Sequence, residues 1–377
     1  MYRVLVFGMT ENPGGVESFL MNNYRKIDNN KIHLDFLANT KNKIAFEDEL
    51  VSHGSKVYHI SPRRKSPINF YRELNHFFSR LADEYDCIWV NLNTLVNIDY
   101  LKYAKKYGIK RRIVHAHNSR NMDEGLKGKL TYQFHEYHKN RIASYATDFW
   151  ACSLDAAKWF YPKEVLSKVK VVKNAIEIKR FKFDAQKRRE LRKSLNLDNK
   201  FVIGNVGRLH FQKNQEFIID IINHLKEKDP DVRLLLVGQG PDERKLKEKI
   251  NKLSLNDYVI LVGVQNDIQK WLSAFDIFVF PSNFEGLGIA GLEAEANGLP
   301  VLASANVIPE ELKINDNFEF LNLKSGPLNW AREIEKINVT REKPNKIKQN
   351  FIEEGYDINV AVQRLQELLL KGRTNEK

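Results

Sequence analysis

The sequence predicts an α/β protein built from two doubly wound parallel-sheet domains, and three observations carry that expectation. Short, continuous apolar runs alternate with segments of helical periodicity, which is the pattern of strands covered by helices on both faces. The alternation then starts afresh near residue 200. The 377 residues, at roughly 100–200 per domain, suffice for two cores.

Taken in order, residues 3–8 form the first strand, and residues 16–24 start a helix after a glycine pair. Residues 33–37 and 56–60 are further strands, and 70–81 place apolar residues at helical spacing. Residues 87–90, 112–115 and 149–153 complete the first set of short buried strands. The charged stretch 179–200 lacks long apolar runs, and the linker is expected somewhere in about 175–200. Beyond it, strands at 201–206, 233–237, 259–261, 277–280 and 300–304 alternate with helices at 214–226, 242–253, 268–274 and 289–297. Residues 358–370 form an apolar-periodic helix expected to return to the first domain, followed by a polar tail at 371–377. The expected domains are therefore 1–178 and 179–356, with 357–377 as the terminal helix and tail.

With 42% hydrophobic and 29% charged residues and a mean hydropathy of -0.48, the chain falls among ordinary soluble globular proteins. Disordered, fibrous and membrane-spanning classes are disfavoured. Cys87 and Cys152 are too few for a disulfide framework or a cysteine zinc site, and reduced buried thiols are expected. The apolar stretch 4–9 runs straight into Glu11 and Asn12, a strand rather than a signal peptide, and a cytoplasmic location follows as an expectation. Of the net charge of +12, residues 1–178 contribute +9 (28 Lys+Arg against 19 Asp+Glu) and the rest +3 (32 against 29). A solvated basic surface would account for this, and so would an anionic partner: a phosphorylated substrate, an acidic lipid surface or nucleic acid.

Open α/β sheets bind ligands beyond the C-terminal ends of their strands, so the loops there carry the chemistry. After the first strand, Gly14-Gly15 opens a helix whose N–H groups can point at an anion. This is not a Gly-x-Gly-x-x-Gly fingerprint, and dinucleotide binding is disfavoured. After the strand at 201–206, Gly207-Arg208 and Lys213 bring a guanidinium and an ammonium to one strand end, a pairing suited to a diphosphate. Gly238-Gln239-Gly240-Pro241 follows the next strand. The segment from Glu285 to Glu293 brackets Gly286-Leu287-Gly288-Ile289 between a buried strand and a helix rich in Ala and Gly, and spacing puts the two glutamates on one side, about two turns apart.

Together with His115-Ala116-His117-Asn118 and Lys173-Asn174-Ala175-Ile176, these motifs resemble, over nearly the whole chain, the family 4 glycosyltransferases: retaining enzymes of the GT-B fold that use nucleotide sugars. The sequence is most similar to bacterial exopolysaccharide and capsule transferases. The resemblance implies that Gly14 and Gly15 N–H groups, with Gly207, Arg208 and Lys213, hold the donor diphosphate. It implies that Glu285 binds sugar hydroxyls, that backbone around Gly286, Leu287, Gly288 and Ile289 positions sugar and phosphate, that Glu293 accepts from the ribose, and that His117 faces the sugar. The implied reaction is transfer, by front-face substitution, of a hexose-type sugar from a nucleoside-diphosphate sugar, UDP being the first expectation and GDP the second, to an oligosaccharide or polyprenyl-diphosphate-linked glycan of a growing surface polysaccharide.

Arg and Lys in that role leave no need for a metal or other cofactor. The Asp229-Pro230-Asp231 string lies in a turn at the wrong end of a strand, and His115-Ala116-His117 has no evident third ligand. Two other readings are weighed. A nucleotide-sugar epimerase of the same architecture would not be expected to carry Glu285 and Glu293 in this glycine-flanked frame. A nucleic-acid binder would explain the charge, but Tyr132, Phe134, Tyr137 and Tyr145 have the spacing of a core face, and no nucleic-acid-binding signature is present. The basic runs Arg63-Arg64-Lys65 and 105–112 are expected to dock the first domain on an anionic membrane leaflet.

Overall fold

The computed structural model describes residues 1–121 and 125–371, which form two compact units. The first comprises residues 1–175 together with the segment from Ile358 onward; the second comprises 176–357. The chain therefore passes between units twice.

The first unit is organised on seven parallel strands: β1 (Tyr2–Phe7), β2 (Ile32–Ala38), β3 (Val57–His59), β4 (Cys87–Leu92), β5 (Arg111–Ala116), β6 (Asp148–Ala151) and β7 (Lys170–Val171). Their order is β3-β2-β1-β4-β5-β6-β7. Leu5, Ile88, Val90 and Val114 face a layer containing Phe70, Leu74 and Leu101. Val4, Val6, Trp89, Ile113 and Trp150 face another containing Phe19, Val362 and Leu365. A strand buried on both faces must be apolar at successive positions, hence the continuous runs. Cys87 and Cys152 are both buried, and no disulfide joins them.

The helix Ile358–Leu370 lays Val362, Leu365 and Leu369 on this second layer. Arg111, paired with Asp148 at 3.0 Å, donates to the carbonyls of Leu368 (2.7 Å) and Leu369, placing a cation at the helix C-terminus, where the macrodipole favours it. The end of the expected polar tail, 372–377, lies outside the described residues.

The second unit repeats the plan with six parallel strands: β8 (Phe201–Val206), β9 (Val232–Val237), β10 (Val259–Gly263), β11 (Ile277–Phe280), β12 (Val301–Ser304) and β13 (Phe318–Leu321), in the order β10-β9-β8-β11-β12-β13. In both sheets the order reverses between the first strand and the fourth. The sequence reading passed over β13 and the helices Asp99–Lys106, Gly326–Lys336 and Pro344–Glu353, whose few apolar positions sit among charges; Pro344–Glu353 buries only Ile347 and Phe351.

The passage from the first unit to the second falls between residues 175 and 176, at the start of the range expected for the linker, and most of the charged stretch after it is folded. Asp184 caps a helix, Ala185–Ser194, by accepting from Gln186 N (2.9 Å) and Lys187 N (3.0 Å), and Leu191 and Leu197 enter the core of the second unit. Two of its charges are spent inward. Arg188 and Arg192 reach Asp276 at 2.6 and 3.1 Å, and Arg188 also takes the carbonyls of Ser273, Ala274 and Phe275. One expectation needs correction: Tyr132, Phe134 and Tyr137 are not a core face but are 44%, 48% and 53% exposed on the helix Gly125–Lys139.

The Asp276 carboxylate also accepts from Val202 N at 2.8 Å, tying that helix to the start of β8. Asp276→Ala leaves the buried Arg192 without its counter-charge and should cost about 3–5 kcal/mol of unfolding free energy. Urea denaturation, with hydrogen exchange assigning the loss to the second unit, measures it. A loss under about 1 kcal/mol, the level of a surface pair, would contradict this role.

Candidate functional site

In the second unit the strand-order reversal lies between β8 and β11, and the loops leaving both strands are stitched together there. Asn205, a polar residue in an otherwise apolar strand, donates to Val279 O at 2.9 Å. Asn283 donates through its backbone to Gln212 O (2.7 Å) and through its side chain to Phe211 O (2.6 Å), while Asn214 donates to Pro281 O at 3.1 Å. Gln215 donates to Arg208 O at 3.1 Å, fixing the loop that carries the guanidinium. The loop after β9 closes on the same loop backbone to backbone: a Cβ on Gly238 would lie 2.1 Å from Gly207 O, and one on Gly240 2.1 Å from Leu209 O. Those glycines are required by close approach.

Within this frame Lys213 Nζ lies 2.5 Å from Glu285 Oε1, which also accepts from Ser282 Oγ at 2.8 Å, and the ammonium stands 5.3 Å over the Phe280 ring. Arg208 is exposed, and its guanidinium has no ion pair among the described residues. The turn Gly286-Leu287-Gly288 leads into the helix Ile289–Ala296, and Gly288 has φ +94° with a Phe280 ring atom 2.8 Å from where a Cβ would sit. Glu285 stands before the helix starts, not on it, so the two glutamates do not share a helical frame as the spacing suggested.

Glu293 lies inside the helix, partly buried, and no hydrogen bond to its carboxylate is formed among the described residues. Burial pushes its pKa up to about 7, against the pull of Arg180 and Lys213. The neighbouring Glu295 is fully buried and accepts from Ile314 N (3.0 Å) and Asn315 N (2.7 Å), a structural task.

In the first unit the corresponding reversal lies between β1 and β4. Gly14 and Gly15 are exposed at the start of the helix Gly15–Tyr24. The buried Glu17 accepts from Thr10 N at 3.0 Å and Thr10 Oγ1 at 2.7 Å, and its other oxygen would lie 2.9 Å from a Cβ on Gly14. A carboxylate of the chain itself therefore already sits at that helix start.

His117 Nε2 lies 2.9 Å from Asn91 Oδ1. Asn91 Nδ2 donates to Phe7 O at 3.2 Å, so its oxygen must face the imidazole, Nε2 must carry the proton, and Nδ1 is left as an acceptor. That Nδ1 is buried without a partner among the described residues, and desolvation pushes the pKa down to about 3. His115 packs 4.1 Å away between aromatic rings, fully buried and held neutral by desolvation, with both ring nitrogens unpartnered.

Gly8 allows this approach, since a Cβ there would lie 2.7 Å from Asn91 Cβ. The sequence reading missed Asn91, Ser282 and Arg180. The signal for Asn91 was available, as a lone amide inside a buried strand must be hydrogen-bonded to something specific. Asp231 is exposed and paired with Lys200 at the N-terminal end of β9, and no group of three or more His, Cys, Asp or Glu among the described residues could hold a metal ion.

Residues 187–354 match the family described as glycosyl transferases group 1. EpsF of Bacillus subtilis, named as a glycosyltransferase, is 28% identical over 92% of this chain and 90% of its own length. The UDP-Gal:alpha-D-GlcNAc-diphosphoundecaprenol alpha-1,3-galactosyltransferase of Escherichia coli is 30% identical over 54% of each chain. Among solved structures, Anabaena HepE in complex with UDP and glucose superposes with a TM-score of 0.79 at 20% identity, over 98% of this chain and 99% of its own. The fold is GT-B, with two parallel-sheet α/β domains.

Because the folded pKa of His117 lies below the unfolded value of about 6.5, the folded state binds fewer protons. His115, His135 and His138 are shifted the same way, His135 to about 4. Their contribution to stability is full above pH about 6.5 and falls as pH drops toward about 4. Nitrogen NMR should show His117 as the Nε2–H tautomer throughout that window, and Asn91→Asp, by adding a carboxylate at Nε2, should raise its pKa. Titration of wild-type His117 near 6.5 would contradict the assignment.

Proposed function

We propose that this chain, whose second unit carries a group 1 glycosyltransferase domain of a GT-B fold, is a retaining hexosyltransferase that takes a UDP-sugar as donor and a lipid-linked surface polysaccharide as acceptor. One observation carries the reading. An exposed guanidinium without a counter-charge among the described residues, an ammonium shared with one glutamate and a second carboxylate unpartnered among those residues are gathered where two strand ends meet a helix start.

Arg208 forks onto two diphosphate oxygens. Lys213, with three donors, keeps Glu285 while adding a phosphate oxygen, and the first N–H groups of the helix, around Gly286–Ile289, supply further donors. Glu293 accepts from ribose hydroxyls. Glu285, held by Lys213 and Ser282, accepts from a sugar hydroxyl. In the first unit, His117 Nδ1 accepts from a sugar hydroxyl, and the N–H groups of Gly14 and Gly15 bind an anionic oxygen.

As the bond between the anomeric carbon and the phosphate oxygen breaks, negative charge grows on the leaving diphosphate, and fixed cations there lower the barrier without a metal. The acceptor oxygen bonds to the same face of the anomeric carbon, and its proton passes to the departing phosphate. Support for UDP and for a diphospholipid acceptor comes from the Escherichia coli relative's name, and further support for UDP from the HepE complex.

Calorimetry with UDP and turnover with a UDP-sugar test this reading. Arg208→Ala should lower turnover by an amount equivalent to about 2.7–4 kcal/mol, activity should survive EDTA, and product NMR should show the donor's anomeric configuration. Unchanged turnover in Arg208→Ala sinks the site. UDP release that does not depend on acceptor would favour an epimerase. Since Glu293 ionises near pH 7, UDP affinity should rise with pH through that value, and Glu293→Gln should flatten the rise.

A further inference from the structure

Helix Gly125–Lys139 is built inside out. The residues it turns toward the protein are Gly128, His135 and His138. Leu95 N donates to His135 Nδ1 at 3.1 Å, which leaves His135 Nε2 to donate to Trp159 O at 3.3 Å; His138 Nδ1 donates to Leu95 O at 2.6 Å. The His135 ring also stacks on Trp159 at 3.9 Å. These contacts fix the helix's rotation about its axis.

That rotation turns its large apolar side chains outward. Leu126 is 85% exposed, Leu130 60%, Phe134 48% and Tyr137 53%. They recur at i, i+4, i+8 and i+11, which at about 100° per residue makes one continuous stripe on the side away from Gly128 and His135. Isolated exposed leucines are ordinary, whereas a contiguous exposed stripe opposite a buried glycine and histidine marks a surface that something covers.

The rim of the stripe indicates what that is. Between residues 125 and 141 the chain carries Lys127, Lys129, Lys139 and Arg141 against a single acid, Glu136, which lies 3.6 Å from Lys139. Arg141 stands 4.0 Å over the Tyr137 ring. Beside the C-terminal end of the helix, Lys139, Lys158 and Lys163, with Glu164 as the one acid, line an open recess of about 430 Å³. A second copy of the chain docked through this face would set like charges against one another. An apolar stripe of Leu, Phe and Tyr with a cationic border is the composition of a helix that lies in the headgroup region of an anionic bilayer.

The basic runs expected to serve this purpose are largely committed elsewhere. Arg63 is paired with Asp99 at 3.0 Å, Arg111 with Asp148 and the C-terminal helix, and Arg112 with the carbonyls of Tyr145, Ile109 and Lys110.

We propose that the outward stripe of helix Gly125–Lys139, Leu126, Leu130, Phe134 and Tyr137, seats the first unit in an anionic lipid surface, with Lys127, Lys129 and Arg141 meeting lipid phosphates. The inference is independent of the transferase reading, because lipid binding is measured without donor or acceptor.

Co-sedimentation of the full chain with vesicles of phosphatidylcholine alone, or mixed with phosphatidylglycerol, tests it. Binding should favour the anionic vesicles, with salt weakening it. Lys127→Ser with Lys129→Ser should lower that preference by about fivefold per cation removed. The combined change Leu126→Ser, Leu130→Ser, Phe134→Ser and Tyr137→Ser should abolish binding to both vesicle types, with circular dichroism and UDP titration unchanged because all four side chains are exposed. Amides of 125–139 should gain exchange protection on anionic vesicles. Equal binding of wild type and stripe variant, or no preference for phosphatidylglycerol, overturns the proposal. So does a concentration-dependent dimer that the stripe variant dissolves without any vesicle binding, which would make the face an interface between copies.

Discussion

The constraint on which the rest depends is that a parallel sheet winding in both directions from its first strand must reverse its order once. In each unit that reversal separates the first strand from the fourth, β1 from β4 and β8 from β11. Helices leaving the two strands go to opposite faces, so the loops at their ends diverge and leave backbone uncovered. Asn91 and Asn205 bridge this reversal from opposite sides, Asn91 reaching from the fourth strand of its sheet to Phe7 O on the first, and Asn205 from the first strand of its sheet to Val279 O on the fourth.

The same constraint explains the glycines. Gly8, Gly238, Gly240 and Gly288 stand at strand ends or at the following turn, and each has a neighbour under 3.0 Å from where a Cβ would be placed. Backbones approach this closely only when side chains are absent, and close approach is what leaves N–H groups open to a ligand. Helix starts alone would not make a site. At Gly14 the local anion preference is met partly by Glu17, whereas at Gly288 the charged groups around the helix start belong to separate loops.

Electrostatics separate structure from chemistry within the second unit. Arg188, Arg192 and Arg341 are absorbed by Asp276 and by the carbonyls of residues 272–275, and in turn hold the helix Ala185–Ser194 and the end of Ile268–Ala274. Arg208 has no such counter-charge among the described residues. The first unit shows a parallel division among histidines: His135 and His138 spend their nitrogens on Leu95 and Trp159, whereas His117 keeps Nδ1 unused. Neutral, oriented imidazoles suit hydrogen bonding rather than charge stabilisation.

Local pattern was enough to identify most of the strands, the two-domain α/β plan and the loops holding Arg208, Lys213, Glu285 and Glu293, because burial on both faces forces continuous apolar runs and ligand loops in open sheets follow strand ends. It could not tell which charges are spent. Residues 179–200 look like a linker by composition, yet Arg188 and Arg192 turn inward onto Asp276, a partner more than eighty residues away in sequence. Nor could it say which way helix Gly125–Lys139 faces, since periodicity gives a helix its stripe but not the side that is covered. Only tertiary contacts, with both histidines anchored on the loop after β4, decided that the apolar stripe lies outside. Sequence spacing sets which residues share a face; what that face meets depends on elements remote in the chain.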